Sequence, residues 1–174
     1  MKHPYVSTRS LTLAAMIAAV YTVVSFALLP LSFGIVQVRV AEALTLLPVF
    51  SPVAIWGVTV GCLLTNLIGV FTGAVLPLDI LVGTAATLLA ALFTRKLRGF
   101  TWHGLPVLSV LPPVVFNGIF VGAELTWMFT PDTPALFWMN ALSVAAGELA
   151  ACGVLGLLLV WCIQRAGLGR AMAV

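Results

Sequence analysis

Two asparagine–glutamate pairs stand out in this sequence as residues whose type and spacing could do chemistry. Asn117 and Glu124 lie seven residues apart in one apolar stretch, and Asn140 and Glu148 lie eight residues apart in another. At these spacings the two members of a pair share one face of a helix. Carboxylates accept N–H donors and amides offer both donors and acceptors, so the two faces suit a polar pocket. Alternatively, both asparagines form structural hydrogen bonds between neighbouring helices.

Three further charged residues stand at the edges of apolar stretches. Arg39 and Glu42 are three residues apart, which allows either a local ion pair at the start of a helix or a role in a site. Asp79 begins another apolar segment, where an acid either stabilises a helix N-terminus or faces a ligand. Glu148 lies well inside its segment, and a carboxylate in a membrane interior usually faces a cavity or a partner.

The elements that must position these residues follow from the composition. Hydrophobic residues make up 62% of the 174 and charged residues 7%, with a mean hydropathy of +1.19. Soluble domains are about 45–50% apolar and about 25% charged. The uncharged runs 10–38, 43–78 and 99–123 each exceed the roughly 20 residues that a membrane-spanning helix needs. We therefore predict an all-α, polytopic membrane protein that forms a single membrane-embedded domain over residues 1–174.

Six helical segments are predicted, of which the second is short. Taken as an α-helix, the second would reach only about 16 Å and would not span alone. Ser51 and Pro52 mark the start of the third as an N-cap and a first-turn proline. The approximate bounds of the six segments are 10–29, 40–50, 52–71, 78–94, 105–128 and 135–164.

The distribution of basic residues predicts the orientation. If the N-terminus is cytoplasmic, seven of the eight basic residues fall on the cytoplasmic side, which is the positive-inside pattern. The C-terminus is then cytoplasmic too, in a prokaryotic inner or plasma membrane. Arg39 is the exception, and it falls on the outer side near Glu42, Asp79 and Glu124.

Small and aromatic residues indicate possible contact surfaces. Two small-xxx-small pairs on the first segment, Ala14/Ala18 and Ala15/Ala19, allow either close packing inside the chain or docking of a partner subunit. Trp127 and Trp138 indicate either an interfacial aromatic belt or surfaces that stack on a flat ligand.

Motifs for several chemistries are missing from the sequence. It holds no G-x-x-x-x-G-K-[ST] loop, no H-E-x-x-H and no G-x-S-x-G, and its three cysteines lack metal-ligand spacing. We expect no catalytic residues, no metal, no cofactor and no nucleic-acid partner, and any ATP-driven step would need separate ATPase subunits.

Several motifs occur together in a characteristic order. They are R-V-A-E-A-L-T-L-L-P at 39–48, P-V-A-I-W-G at 52–57 and G-C-L-L-T-N at 61–66, followed by related stretches at 76–94, 112–125 and 145–156. Together they resemble the queuosine-precursor transporter (QueT) family, whose members are substrate-binding S components of energy-coupling factor (ECF) transporters. The resemblance covers roughly residues 9–164. The stretch 151–153 departs from it, because a bulkier aromatic is expected after Cys152.

The resemblance implies uptake of a 7-deazaguanine such as preQ1 or queuine. It also implies three partners, a membrane scaffold subunit and two cytosolic ATPases, with the loop 31–39 gating an outward-facing pocket. A carboxylate suits the ring's paired N–H donors, and a second one suits the cationic amine of preQ1. The candidate pocket residues are Glu124, Glu148, Asn117, Asn140, Asp79, Glu42, Arg39, Trp127 and Trp138.

Three alternatives stay open. The chain could be an S component for tryptophan, a biotin-like vitamin or another purine. It could be a secondary carrier driven by protons through Glu148. It could also be a small intramembrane enzyme that uses Glu148 as an acid or base, although no nucleophile–base pair or metal cluster accompanies that residue.

Overall fold

A computed structural model of the chain describes residues 7–28 and 39–172. Within these ranges the backbone is almost entirely helical and holds no β-strand, although Trp102 and Leu105 form an isolated bridge. Five helical stretches there are long and apolar enough to cross a membrane, and a shorter apolar helix accompanies them. The prediction of an all-α, polytopic membrane protein with a short second helix is confirmed. The predicted gating loop lies outside the described residues except for Arg39.

The described ranges contain seven α-helices. Asp79 in the first turn of α3 and Arg95 and Lys96 in its last turn complement the helix dipole. Two prolines open α4, where their missing N–H groups cost nothing. The helices are α1 Thr8–Ala27, α2 Val53–Phe71, α3 Asp79–Leu97, α4 Leu111–Phe129, α5 Phe137–Glu148, α6 Leu157–Arg165 and α7 Gly169–Met172.

The short second segment, Val40–Val49, is a 3-10 helix and not the predicted α-helix. Its ten residues extend about 20 Å at the 3-10 rise of about 2.0 Å per residue. Arg39 precedes its first residue, and the Arg95 side chain donates to the carbonyl of Pro48 near its last, at 2.8 Å. Because residues three apart are in line in a 3-10 helix, Glu42 and Thr45 follow Arg39 along one edge. The predicted length of 16 Å was too short because it assumed α geometry.

The predicted sixth segment is interrupted in its middle. Between α5 and α6 the backbone forms a π-helix, Leu149–Gly156, so that the turn is wider directly after Glu148. Gly156 lies in this stretch, and a Cβ there would come within 2.8 Å of the Leu46 side chain. The π-helix therefore brings the last long helix, the continuous helical stretch Pro134–Arg165, against the 3-10 helix. Helical turns of the π type occur often at functional sites.

Glycines hold α1 and α2 close together in what we call the packed seam, formed by Ile17, Ala18, Tyr21, Gly57 and Gly61. A Cβ at Gly57 would lie 2.8 Å from Ile17 Cβ, and one at Gly61 would lie 2.7 Å from Tyr21 Cβ. Such contacts let helices approach closely in an apolar medium. The packed seam therefore has no space for a larger side chain at either glycine.

The packed seam also separates the two alanine pairs of α1. The carbonyl oxygen of Ala14 and the Cα of Ala18 lie 3.1 Å from the Cβ positions of the seam glycines on α2. Ala15 and Ala19 are exposed on another face of α1. One alanine pair thus packs inside the chain, and the other faces outward.

Candidate functional site

A cavity of about 210 Å³ opens between the start of α3 and the end of α4. Its volume is somewhat below the roughly 300–1,000 Å³ of sites for drug-sized ligands, which suits a small heterocycle. The lining is mixed, with three charged side chains among apolar ones. The lining residues are Arg39, Ala74, Val75, Leu76, Asp79, Val121, Glu124, Leu125 and Phe129.

Arg39 and Asp79 form one wall of the cavity through a shared amide. The Arg39 guanidinium lies 3.9 Å from Asp79 Oδ2 and donates to Asn66 Oδ1 at 2.8 Å. Asn66 in turn donates from Nδ2 to the backbone carbonyl of Asp79 at 2.8 Å. Gly83, one turn after Asp79, leaves the space that these side chains occupy, since a Cβ there would collide with the Asp79 carboxylate. Asn66 therefore links the Arg39 guanidinium to the backbone at the start of α3.

Glu124 forms the opposite wall, and its carboxylate is unusually bare. The residue is 4% exposed, and neither carboxylate oxygen has a hydrogen-bond partner within the described part of the chain. The same is true of Oδ1 of the neighbouring Asp79, whose carboxylate lies against that of Glu124. Buried polar groups are normally hydrogen-bonded, so these oxygens are unusual in having no donor among the described residues.

A second polar layer lies deeper in the bundle. Tyr21 of α1 donates its hydroxyl to Glu42 Oε1, and the Glu42 carbonyl accepts from Cys152 Sγ at 3.2 Å. Cys152 Sγ also lies 3.7 Å from Glu148 Oε2. Asn117 faces both Glu42 and Glu148, and its Nδ2 has no hydrogen-bond partner among the described residues. This layer thus joins α1, the 3-10 helix, α4 and the last long helix.

The two layers share one basic side chain. The carboxyl groups of Glu42, Asp79, Glu124 and Glu148 all lie within electrostatic reach of Arg39. We call these five residues the carboxyl cluster. Burial raises the pKa of Glu42, and the charge of Arg39 and the hydrogen bond from Tyr21 oppose that rise.

The carboxyl cluster contains all five charged residues that the sequence singled out for the pocket. Asn117, which stands beside it, is 3% exposed. Asn140 lies apart, where it donates from Nδ2 to Thr126 Oγ1 at 2.9 Å and so ties α5 to α4. Trp127 and Trp138 are each 69% exposed and do not line the cavity described above.

Several residues of the site were not singled out for it by the sequence, Asn66 among them. Tyr21 and Cys152 sit in long apolar runs, where their hydrogen bonds to the Glu42 region depend on how the helices pack. Phe129, two residues after Trp127, lines the cavity, although it was not among the predicted pocket residues. A tyrosine in the middle of an apolar helix is itself a signal, because a buried hydroxyl usually finds a partner. No group of three or more His, Cys, Asp or Glu in the described ranges is arranged to hold a metal ion.

A bundle of apolar helices long enough to span a membrane, with a polar cavity between them, defines the class of the chain as a polytopic membrane protein. Comparison with known proteins gives its family. The QueT transporter family model matches residues 11–165, and the chain belongs to that family.

One curated relative matches most of the chain. The queuosine precursor transporter QueT of Lactococcus lactis subsp. cremoris (strain MG1363) is 29% identical over 151 residues. The match covers 82% of this chain and 85% of the relative. No solved structure shows significant similarity.

Proposed function

We propose that this chain is the substrate-binding S component of an ECF-type importer and that its substrate is a queuosine precursor, a 7-deazaguanine. The observation that carries the proposal is the cavity whose carboxylate oxygens lack partners, in a member of the QueT transporter family. The name of the Lactococcus relative supports the choice of substrate.

The proposed roles follow from the position of each residue. Asp79 and Glu124 accept N–H groups of the substrate, and Arg39 donates to an acceptor such as the ring carbonyl. Glu42, Glu148 and Asn117 form the inner layer, which meets the substrate as it moves deeper or holds the cavity walls in place. Asn140, Trp127 and Trp138 contribute through helix packing and the membrane interface.

The direct test is to identify what the protein binds. Mass spectrometry of the small molecules that co-purify with detergent-extracted protein should find a 7-deazaguanine. Calorimetric titration with preQ1, queuine, tryptophan and biotin then ranks the precursor against the other S-component substrates. Tight binding of tryptophan or biotin, with none of a deazaguanine, would contradict the proposal.

Assembly with partner subunits is a separate part of the proposal. The basic end of the bundle, which carries Arg9 and Arg95, is cytoplasmic, and a membrane scaffold subunit docks on the outward face of α1 that bears Ala15 and Ala19. Two cytosolic ATPases supply the energy, since the sequence holds no P-loop. Proteoliposomes with this chain alone should not accumulate substrate, whereas those with the scaffold, the ATPases and ATP should.

Two alanine variants separate docking from folding. Ala15→Leu changes an exposed position and should fold and bind substrate normally while losing the scaffold subunit in a pull-down. Ala18→Leu is the matched control inside the packed seam, where a larger side chain should impair folding itself. Full retention of the scaffold by Ala15→Leu would place the docking face elsewhere.

A proton-coupled carrier is the second candidate, because the carboxyl groups of Glu42 and Glu148 interact electrostatically deep in the bundle. A buried carboxyl pair of this kind can hold a shared proton. Transport by the chain alone that follows an imposed pH gradient and ignores ATP would favour this candidate over the S component.

A further inference from the structure

A second concave surface lies away from the carboxyl cluster, between α1, the 3-10 helix, α6 and α7. It encloses about 400 Å³, nearly twice the volume of the polar cavity. We call it the lateral groove, and its lining includes Leu13, Met16, Ile17, Leu47, Leu159 and Ile163. Its lining residues in the described ranges are all aliphatic or methionine, so the groove offers apolar contact without a hydrogen-bonding side chain.

A polar recess of about 360 Å³ adjoins one end of the lateral groove. The two share Met16 and Ala171 in their linings, so they form one continuous depression. The polar side chains of the recess are those of Thr8, Arg9 and Thr12. Arg9 Nη2 donates to the Ala171 carbonyl at 2.6 Å, and an exposed guanidinium with five N–H groups can donate to an anion at the same time. The depression is therefore amphipathic, with a cationic group at one end.

The recess lies at the basic end of the bundle. Arg9 is hydrogen-bonded to α7, and Gly169 of α7 lies close to the Phe50 ring, which directly follows the 3-10 helix. Arg95 of α3 donates to the last turn of that same helix. None of the five acids of the chain lies there, since four belong to the carboxyl cluster and Asp132 follows α4 at the cavity end. An anionic partner is therefore favoured at the recess. The basic residues at this end are Arg9, Arg95, Lys96, Arg98, Arg165 and Arg170.

The lining of the lateral groove favours a lipid chain over a helix of another subunit. Helix contacts in membranes are enriched in small residues, because these let the backbones approach closely. Among the described residues that line the groove, Ala171 alone is small, and both alanine pairs of α1 lie outside the lining. A flexible acyl chain needs no such approach and can follow an irregular apolar surface while its headgroup reaches the recess.

We propose that the lateral groove and its recess bind one anionic phospholipid, with an acyl chain along the groove and the phosphate beside Arg9. This inference does not depend on the proposed substrate or on the proposed subunits. Van der Waals contact with the groove holds the acyl chain, and the charge of Arg9 and of the nearby Arg170 selects the headgroup. The lipid joins α1 to the 3-10 helix, α6 and α7, so its binding should raise the Tm of the chain.

The test compares two headgroups on the same acyl chains. The full chain is purified in detergent, freed of bound lipid and titrated with phosphatidylglycerol, which is anionic, or with phosphatidylcholine, which is zwitterionic. Native mass spectrometry counts the lipids on each molecule and gives their dissociation constants. We expect phosphatidylglycerol to fill one site per chain and to bind at least about tenfold more tightly, in line with two basic side chains near the headgroup.

A charge variant assigns the preference to the recess. Arg9→Gln should lower the ratio of the two affinities about fivefold, mainly by weakening phosphatidylglycerol. Arg98→Gln is the matched control, because Arg98 is an exposed arginine at the same end of the bundle but outside both linings. Its ratio should equal that of the unmodified chain.

A size variant tests the groove itself. Met16 is 61% exposed and lines both the groove and the recess, so the indole of Met16→Trp should fill the depression and weaken both lipids while the core stays intact. Met139→Trp is the matched control, since Met139 is also 61% exposed but lies on α5, outside both linings. Thermal unfolding in detergent checks that both variants fold.

Several outcomes would overturn the inference. Equal affinity for the two lipids would remove the charge preference, and stepwise uptake of phosphatidylglycerol without saturation at one molecule would indicate an ordinary lipid shell. An unchanged ratio in Arg9→Gln would exclude the recess. A rise in Tm with inorganic phosphate as large as that with phosphatidylglycerol would indicate a site for the free anion.

The rival occupant of the groove has its own signature. Loss of the scaffold subunit from Met16→Trp in a pull-down, with lipid binding intact, would make the lateral groove a subunit interface and overturn the lipid site. If the variants do not fold, the comparison of headgroups on the unmodified chain decides the matter. The preference for phosphatidylglycerol should then shrink as salt is added, because salt screens the exposed arginines.

Discussion

The packed seam and the carboxyl cluster adjoin each other at Tyr21, which is part of the seam and donates its hydroxyl to Glu42 of the cluster. Along the seam, Cβ atoms added at Gly57 and Gly61 would meet side chains of α1 at less than 3 Å. In the cluster, four carboxylate oxygens on Glu42, Asp79 and Glu124 have no hydrogen-bond partner within the described ranges.

The two regions differ in what they contribute, since the seam stabilises the fold and the cluster holds buried acceptors without donors. A filled apolar contact stabilises the bundle whether or not a ligand is present. Unpartnered buried carboxylates cost stability, and they persist where a ligand later supplies the missing donors. Substitutions in the two regions should therefore move stability and affinity in different directions.

The largest effect is expected in the packed seam. Gly61→Ala places a methyl group 2.7 Å from Tyr21 Cβ, so α1 and α2 must separate, at a cost of about 1–3 kcal/mol. Thermal unfolding of the detergent-solubilised protein should show a lowered Tm. Gly99→Ala is the control, since a Cβ there meets nothing within 4 Å. Equal Tm values for the two variants would show that the seam is not tightly packed.

Tyr21→Phe tests the residue that connects the two regions. The ring still fills the seam, but Glu42 loses its hydroxyl donor, at a cost of about 1–3 kcal/mol for an unsatisfied buried group. We expect a lower Tm and weaker substrate binding together. Thr22→Val removes a neighbouring hydroxyl whose acceptors are backbone carbonyls, and it should change Tm less. A larger effect of Thr22→Val would contradict this.

Glu148→Gln should separate stability from affinity. The substitution replaces a buried carboxyl group with a neutral amide of similar shape, in a cluster with too few positive charges, so Tm should stay the same or rise. Affinity for the proposed deazaguanine substrate should fall by about tenfold, because the cluster offers one hydrogen-bond acceptor fewer. Tm and the dissociation constant measured on the same preparation check both parts. A fall in Tm with unchanged affinity would assign Glu148 a structural role.

The smallest effects are expected among the aromatics. Phe129→Ala removes a ring that lines the cavity, and affinity should fall several-fold, in line with about 0.5–1.5 kcal/mol for an aromatic contact. Trp138→Ala removes an exposed ring outside that lining and should change affinity by less than about twofold. A reversal of this order would move the binding site toward α5.

The sequence predicted the architecture because hydropathy and charge act over whole segments. Apolar runs broken by charges gave the five spans and the short helix that the structure contains. The carboxylates could be singled out one by one, since each is anomalous in an apolar run. The topology placed Arg39 near several of them, but the individual contacts could not be predicted, because they depend on helix rotation and on the π-helix after Glu148. The 3-10 geometry was also missed, since burial of nearly every residue between 41 and 48 hides the period.

The 3-10 helix has a mechanical consequence. Its Arg39 end lies at the cavity, and Arg95 holds the Pro48 carbonyl at the other end. Ten residues extend about 20 Å as a 3-10 helix but only about 15 Å as an α-helix. If the segment were an α-helix, the Arg39 backbone would lie about 5 Å closer to the Arg95 end. The 3-10 geometry thus sets a longer distance between the cavity and the Arg95 end of the bundle than an α-helix of the same residues would.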